Sequence, residues 1–149
     1  MVKHLAVVAA LVVALLPSQQ VRGAGAGEVG GADRSHYVVM HLNSGDEKVQ
    51  RGVVNNIRNL YQELGPERLH LELVVHGAGL SLLTKNTTTL GHELTRLKAE
   101  FGVNYTACSN TMKAMKVGRD DLISEVGDTV PAMVRLMERQ EQGWVYIKP

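Results

Sequence analysis

Cys108 is the one cysteine in this chain of 149 residues, and its position makes it a candidate nucleophile. The apolar run 103–107 before it predicts a buried strand, whereas the residues after it predict a short helix. Because free N–H groups and the helix dipole favour an anion at a helix start, a thiol there can fall from a pKa of about 8.5 to about 3.5–7.5. The junction therefore predicts a reactive thiolate. A buried cysteine that packs as a small apolar residue is the alternative.

Polar side chains follow two other predicted strands at the matching position. Asn43 comes directly after the apolar run 37–42, and His76 comes directly after the run 69–75. Ligands of parallel α/β sheets bind at the carboxyl ends of the strands, so we expect both side chains near Cys108. His76 is then a candidate to accept the thiol proton or to stabilise the thiolate as an imidazolium. A histidine that hydrogen-bonds its own loop is an equally good interpretation.

Several small or polar residues beside these positions are predicted to bind a ligand in the same crevice. They are Asn43, Gly77, Asn110, Thr111 and Lys113. Lys116 and Arg119 follow Lys113, and these three cations would add to the stabilisation of a thiolate. An ordinary solvated face accounts for each of the cations equally well.

Neither a metal site nor a cofactor is expected. His41 lies inside the first predicted strand and is interpreted as structural, and no pair of histidines has the spacing of zinc ligands. Four methionines are interpreted as core or subunit-interface residues rather than metal ligands, namely Met112, Met115, Met133 and Met137. The glycines form no dinucleotide-binding or phosphate-binding loop pattern.

Short runs along the chain predict the strands of a sheet. They are the three runs that end beside the candidate site, a weak run at 123–126 and a last run at 144–147. Helical patterns separate the runs, so consecutive strands are predicted to be joined by crossovers and to lie parallel. The fold class is therefore α/β, a three-layer α/β/α sandwich with a mostly parallel five-stranded sheet.

Capping signals mark where the helices begin. Apolar residues at helical spacing predict a helix over 49–64, and Ser44 and Glu47 have capping-box spacing just before it. A second helix is predicted over 90–101. Pro131 is predicted to open the last long helix, since proline is common at the first helical position.

The N-terminus has the pattern of an export signal. Two basic residues precede the apolar run 5–16, which is short for a membrane span of about 20 residues, and Ala-Gly-Ala at 24–26 fits a cleavage site. We predict a signal peptide at 1–26, a flexible leader at 27–35, one domain at 36–149, and an exported, periplasmic location. An uncleaved membrane anchor is the alternative.

Composition narrows the choice of partner. The net charge is +1 and aromatic residues make up 4% of the chain, so neither a nucleic-acid surface nor membrane binding after processing is predicted. A small molecule or another protein is the expected partner.

Four segments together resemble the DsrE/DsrF-like family, and in particular its exported, single-cysteine branch. They are Val-Asn-Asn-Ile at 54–57, Val-Val-His-Gly-Ala-Gly at 74–79, Ala-Cys-Ser-Asn-Thr-Met at 107–112 and Gln-Gly-Trp-Val-Tyr-Ile-Lys-Pro at 142–149. The resemblance implies a five-stranded parallel sheet between helices and a homo-oligomer, a trimer or hexamer. It also implies that Cys108 accepts sulfur as a persulfide from a donor and passes it to an acceptor thiol.

Three functions remain open at this point. The first is a sulfur carrier that resembles a sulfurtransferase and uses Cys108 as a transient persulfide in sulfur metabolism, with no decision on whether it is an enzyme. The second is a non-catalytic oligomeric binding module for a small anion or a protein partner. The third is a structural oligomer with an incidental thiol. A low thiol pKa distinguishes the first from the other two.

Overall fold

The computed structural model describes residues 34–149. The predicted signal peptide at 1–26 lies outside the described residues, as does the predicted leader apart from its last two residues. Within the described part of the chain, no helix is long and apolar enough to cross a membrane.

All five strands belong to one parallel sheet, as predicted. Their bounds are β1 His36–Leu42, β2 Leu69–Val75, β3 Asn104–Cys108, β4 Val126–Val130 and β5 Val145–Ile147. The order across the sheet is β4-β3-β2-β1-β5. The chain therefore adds strands on one side of β1 and then crosses back to place β5 on the other side.

Four α-helices cover the two faces of this sheet. They are α1 Glu47–Leu64, α2 Gly91–Phe101, α3 Ser109–Met115 and α4 Ala132–Glu141, with short 3-10 segments at Gly77–Leu83 and Arg119–Asp121. Buried residues of α1, α2 and α3 share one core cluster, and those of α4 share another. The fold is thus the expected three-layer sandwich, with α4 alone on the second face.

The larger core lies between the sheet and the pair α1 and α2. Ile57 and Tyr61 lie one helical turn apart on α1 and are buried against the strands. The ring of Tyr61 stacks on Phe101 of α2 with a centroid distance of 4.7 Å. Burial of each such side chain stabilises the fold by roughly 1.5–3 kcal/mol, so this cluster is the main source of stability.

The smaller core lies under α4 and is thinly covered. It contains Val39, Val74 and Cys108 from the sheet with Ala132 and Leu136 from α4. Because one helix covers this face, several large apolar residues of α4 and β5 stay exposed, namely Met133, Val134, Met137, Val145 and Tyr146. The cysteine is therefore on the face with the least packing around it.

The predicted capping box before α1 is wrong. The Asp46 carboxylate is the cap and accepts a hydrogen bond from the N–H of Val49 at 3.0 Å. Ser44 lies two residues further out and accepts a hydrogen bond from the N–H of Asp46 instead. Because the helix begins at Glu47, an N-cap side chain reaches the third helical N–H only from position 46.

The fourth strand lies further along the chain than predicted. β4 spans Val126–Val130 and shares only Val126 with the predicted run 123–126. Ile123 is buried in the core as a loop residue whose N–H donates to Leu83 O. β4 is an edge strand with polar exposed residues, so it lacks the apolar pattern by which a strand is recognised. Pro131 is the residue before the first turn of α4 rather than its first residue.

Candidate functional site

Asn43, His76 and Cys108 lie at one edge of the sheet, as the sequence predicts. β1 pairs with β2 and β2 pairs with β3 in parallel register up to the ends of these strands. Asn43 and His76 directly follow the last paired row, and Cys108 stands next to them as the last residue of β3. The carboxyl ends of three adjacent strands therefore carry the three candidate residues.

The sulfur of Cys108 points to the face of the sheet that α4 covers. The residue is 6% exposed, and its sulfur accepts a hydrogen bond from the N–H of Ala132 at 3.4 Å. Ala132 is the first residue of α4, so this N–H has no partner within its own helix. The thiol thus lies at the start of α4 as well as at the start of α3.

Thr111 connects the thiol to the loop after β2. Its hydroxyl accepts a hydrogen bond from the N–H of Gly77 at 3.0 Å, and the same hydroxyl lowers the pKa of the Cys108 thiol. Gly77 has a φ of 55°, a left-handed conformation that glycine adopts at low cost. Of the predicted binding residues, Thr111 therefore acts on the thiol, and Gly77 holds the Thr111 hydroxyl in place.

Hydrogen bonds lower the pKa of the Cys108 thiol below its ordinary value. Burial raises the pKa, since a covered thiolate loses hydration. The Thr111 hydroxyl opposes this, together with the N–H groups of Ala132, Thr111 and Asn110, and these donors outweigh burial. The site therefore favours the thiolate, which is the nucleophilic form of cysteine.

The ring of His76 contacts another histidine rather than the thiol. His76 Nε2 lies 2.6 Å from His41 Nε2, and His41 Nδ1 lies 2.7 Å from the hydroxyl of Tyr146. Among residues 34–149, no hydrogen bond joins this ring to the sulfur of Cys108. A role for His76 as proton acceptor of the thiol stays a prediction. His41 connects the loop after β2 to β5 through its two ring nitrogens.

The two rings are arranged head to head, which suits a shared proton. Their centroids are 4.8 Å apart, so a bond of 2.6 Å between the Nε2 atoms places these atoms on the line between the rings. Burial lowers the pKa of His41 to about 4, with smaller effects of His76 and Lys148. Burial, followed by Lys148, also lowers the pKa of His76. Near neutral pH both rings are uncharged, and one N–H lies between them.

Asn43 and Lys113 are both exposed to solvent. The side chain of Asn43 is exposed, and its backbone carbonyl accepts a hydrogen bond from the N–H of Gly79 at 3.2 Å. Lys113 is exposed and lines a surface cavity of about 410 Å³ with Ser109, Lys116 and other residues. The structure therefore places Asn43 at the exposed end of β1 and Lys113 on the exposed surface of α3. No group of three His, Cys, Asp or Glu side chains in the described residues is arranged to hold a metal ion.

Comparison with models of known protein families assigns the chain to one of them. The model of the DsrE/DsrF-like family matches residues 38–149, which include every element except the first two residues of β1. The chain belongs to the DsrE/DsrF-like family. Proteins of this family are generally related to sulfur relay.

Two solved structures are similar to this DsrE/DsrF-like chain. The protein of unknown function MTH1491 from Methanobacterium thermoautotrophicum is 30% identical with a TM-score of 0.72, and the match covers 77% of this chain and 100% of that one. The conserved protein of unknown function BT1422 from Bacteroides thetaiotaomicron is 16% identical with a TM-score of 0.54, over 75% of this chain and 93% of that one. The second likeness shows the fold alone. A search of curated proteins found no match.

Two groups beside the site are not apparent from the sequence. One is the contact of His41 with Tyr146, which joins residues 105 positions apart. The other is Glu72, a fully buried carboxylate in β2 that contacts Arg135 and Arg139 of α4. A charged residue in the middle of an apolar strand was the available signal for the second group, because such a charge needs a buried partner.

Proposed function

We propose that this protein is a sulfur carrier in which Cys108 holds sulfur as a transient persulfide. The observation behind the proposal is the hydrogen bond from the N–H of Ala132 to the Cys108 sulfur at the end of β3, beside the donors of α3 that lower the pKa of this thiol. Membership of a family related to sulfur relay supports it. The action is that of a sulfurtransferase-like protein with no resident cofactor or metal.

The proposed transfer has two displacement steps and no net oxidation. The Cys108 thiolate attacks the outer sulfur of a donor such as thiosulfate, a polysulfide or a persulfide. The donor S–S bond breaks, and sulfite, a shorter polysulfide or a thiolate, respectively, leaves with the electron pair. An acceptor thiolate then attacks the outer sulfur of the Cys108 persulfide, and the Cys108 thiolate leaves.

The surroundings of the sulfur suggest a role for four of the predicted site residues. Thr111 and the N–H of Asn110 stabilise the negative charge of the thiolate, and Gly77 orients Thr111. Asn43 is exposed at the end of β1, where it would contact a donor. The largely covered sulfur favours slender donors, because a bulky one would have to displace α4.

The proposal includes assembly and location. Exposed apolar residues on α4 and β5 form a surface suited to a second copy of the chain, which supports a homo-oligomer, either a trimer or a hexamer. We also propose that the protein is exported and works in the periplasm, where donor and acceptor would be molecules of that compartment.

Mass spectrometry after exposure to sulfur donors tests the carrier function. The intact protein should gain the mass of one sulfur atom after incubation with thiosulfate, polysulfide or a low-mass persulfide, and a reductant should remove it. Cys108→Ser should fold normally and gain no mass, because its hydroxyl is a far poorer nucleophile. His76→Ala should load more slowly but to completion. A native protein that gains no sulfur from any of these donors would leave the binding-module function as the better proposal.

A further inference from the structure

Glu72 is a carboxylate in the middle of the sheet. It lies in β2 and is fully buried, while its neighbours Leu71 and Leu73 face the larger core. Because side chains alternate along a strand, Glu72 shares with Val74 the face that α4 covers. A buried charge of this kind is stable only when cations and hydrogen-bond donors surround it.

The surrounding groups come mainly from α4. Arg135 Nε lies 2.9 Å from one carboxylate oxygen of Glu72, and Arg139 Nε lies 2.5 Å from the other. The hydroxyl of Thr106 in β3 donates a hydrogen bond to the carboxylate at 2.5 Å. Arg139 also stacks over the ring of Trp144 at 4.2 Å. Two arginines one helical turn apart thus attach α4 to the middle of the sheet.

The same helix supplies a hydrogen-bond donor to the thiol. Ala132, whose N–H reaches the Cys108 sulfur, stands one helical turn before Arg135. The other contacts of α4 with the sheet are apolar ones through Ala132 and Leu136 and an ion pair of Arg135 with Asp128 of the edge strand β4. Apolar contacts have no direction and allow a helix to shift by fractions of an ångström, whereas the hydrogen bond from Arg139 and the ion pair with Arg135 hold α4 over the Glu72 carboxylate.

We propose that Glu72 is a positioning residue for the Cys108 site: by binding Arg135 and Arg139 it fixes α4 so that the N–H of Ala132 reaches the sulfur. The positioning role serves the carrier function proposed above and rests on it. The contacts from which it is argued concern only the position of α4 and the thiol. Glu72 does not contact the Cys108 sulfur, so its effect on the thiol passes through the position of α4.

The decisive variant is Glu72→Gln, because charge and position predict opposite results. Removal of the carboxylate leaves Arg135 and Arg139 less compensated, and the extra positive charge by itself would lower the pKa of the Cys108 thiol. Loss of the helix position weakens the hydrogen bond from Ala132 and should raise this pKa by about half a unit to one unit. We expect the rise, seen as a three- to tenfold slower alkylation near neutral pH.

Arg139→Lys is the second variant and disturbs the fold less. It keeps the positive charge and the apolar stem but loses the planar donor group that binds the carboxylate. Charge alone predicts an unchanged thiol pKa, whereas positioning predicts a smaller rise than in Glu72→Gln. Glu138→Gln is the matched control on the same helix, since Glu138 is half exposed and reaches Arg135 only at 3.9 Å. It should leave the thiol pKa unchanged.

The experiment measures the alkylation rate of Cys108 against pH by mass spectrometry, with near-ultraviolet circular dichroism as the check of folding. A thiol pKa that falls or stays constant in folded Glu72→Gln or Arg139→Lys would overturn the proposal. Sulfur loading of the native protein is measured separately. Should the native protein fail to load while its thiol pKa responds to these variants, the positioning role stands and the carrier function does not. The opposite pattern would retain the carrier function and remove the positioning role.

Discussion

Acidification should destabilise the folded domain through the buried pair His41 and His76. Burial lowers the pKa of His41 from 6.5 to about 4 in the folded protein. Between these values the unfolded chain binds a proton that the folded chain does not, so stability falls as the pH falls through this window. The contribution of His41 to stability is complete above pH 6.5 and lost by about pH 4. The pKa of His76 is also lowered, which adds in the same direction.

The magnitude follows from the shift of His41. A decrease of about 2.5 pKa units, at about 1.36 kcal/mol per unit, corresponds to about 3 kcal/mol over the whole window. Between pH 7.5 and 4.5 the expected loss is about 2 to 3 kcal/mol, since the last part of the window lies below 4.5. This is a large share of the roughly 5–15 kcal/mol that stabilises a typical domain.

Urea unfolding followed by the fluorescence of Trp144, the one tryptophan, measures the effect. The experiment compares the native protein with His41→Gln at several pH values from 4.5 to 7.5. His41→Gln lacks the titrating ring, so its stability should depend on pH less steeply, by about 2 kcal/mol over the range. His92→Gln, which changes an exposed histidine of α2, is the matched control and should keep the native slope.

Slopes rather than absolute stabilities decide the outcome. His41→Gln also loses hydrogen bonds to Tyr146 and His76, which lowers stability at every pH. If the native protein and His41→Gln lose stability in parallel as the pH falls, the His41 ring does not bind its proton differently in the folded and unfolded chains. The head-to-head arrangement would then have no energetic consequence.

Two further predictions concern single hydrogen bonds. Thr111→Val should raise the pKa of Cys108 by about one unit, because the hydroxyl that donates to the sulfur is lost, and Thr111→Ser should restore the native value; alkylation of the thiol against pH measures both. Asp46→Ala should lower the free energy of unfolding by about 1 kcal/mol through loss of the α1 cap, whereas Ser44→Ala should cost clearly less; equal losses in urea unfolding would contradict the assignment of the cap.

Local pattern was enough to predict the sheet and the placement of Cys108. Strands buried on both faces form continuous apolar runs, and the residue after each run lies at the edge where ligands bind. The ends of β1, β2 and β3 were therefore visible in the sequence. The position of β4 was not, because this edge strand is mostly exposed and polar. The apolar residue Ile123 before it is buried as part of a loop.

Contacts between distant segments could not be predicted in this way. The bond between His41 and Tyr146 depends on β5 returning beside β1, which no local pattern specifies. The two arginines of α4 look like any exposed basic positions of a helix until the helix is placed over Glu72. A sequence read alone predicts which residues end a strand but not which element lies above them.

The donors around Cys108 favour both halves of the proposed transfer. At neutral pH they raise the fraction of thiolate, which speeds the attack on a donor, although each thiolate becomes a somewhat weaker nucleophile. In the return step the Cys108 thiolate is the leaving group, and a leaving thiol of lower pKa departs faster. The hydrogen bonds from Thr111 and Ala132 therefore disfavour permanent storage of sulfur on Cys108. This balance suits a residue that passes sulfur on.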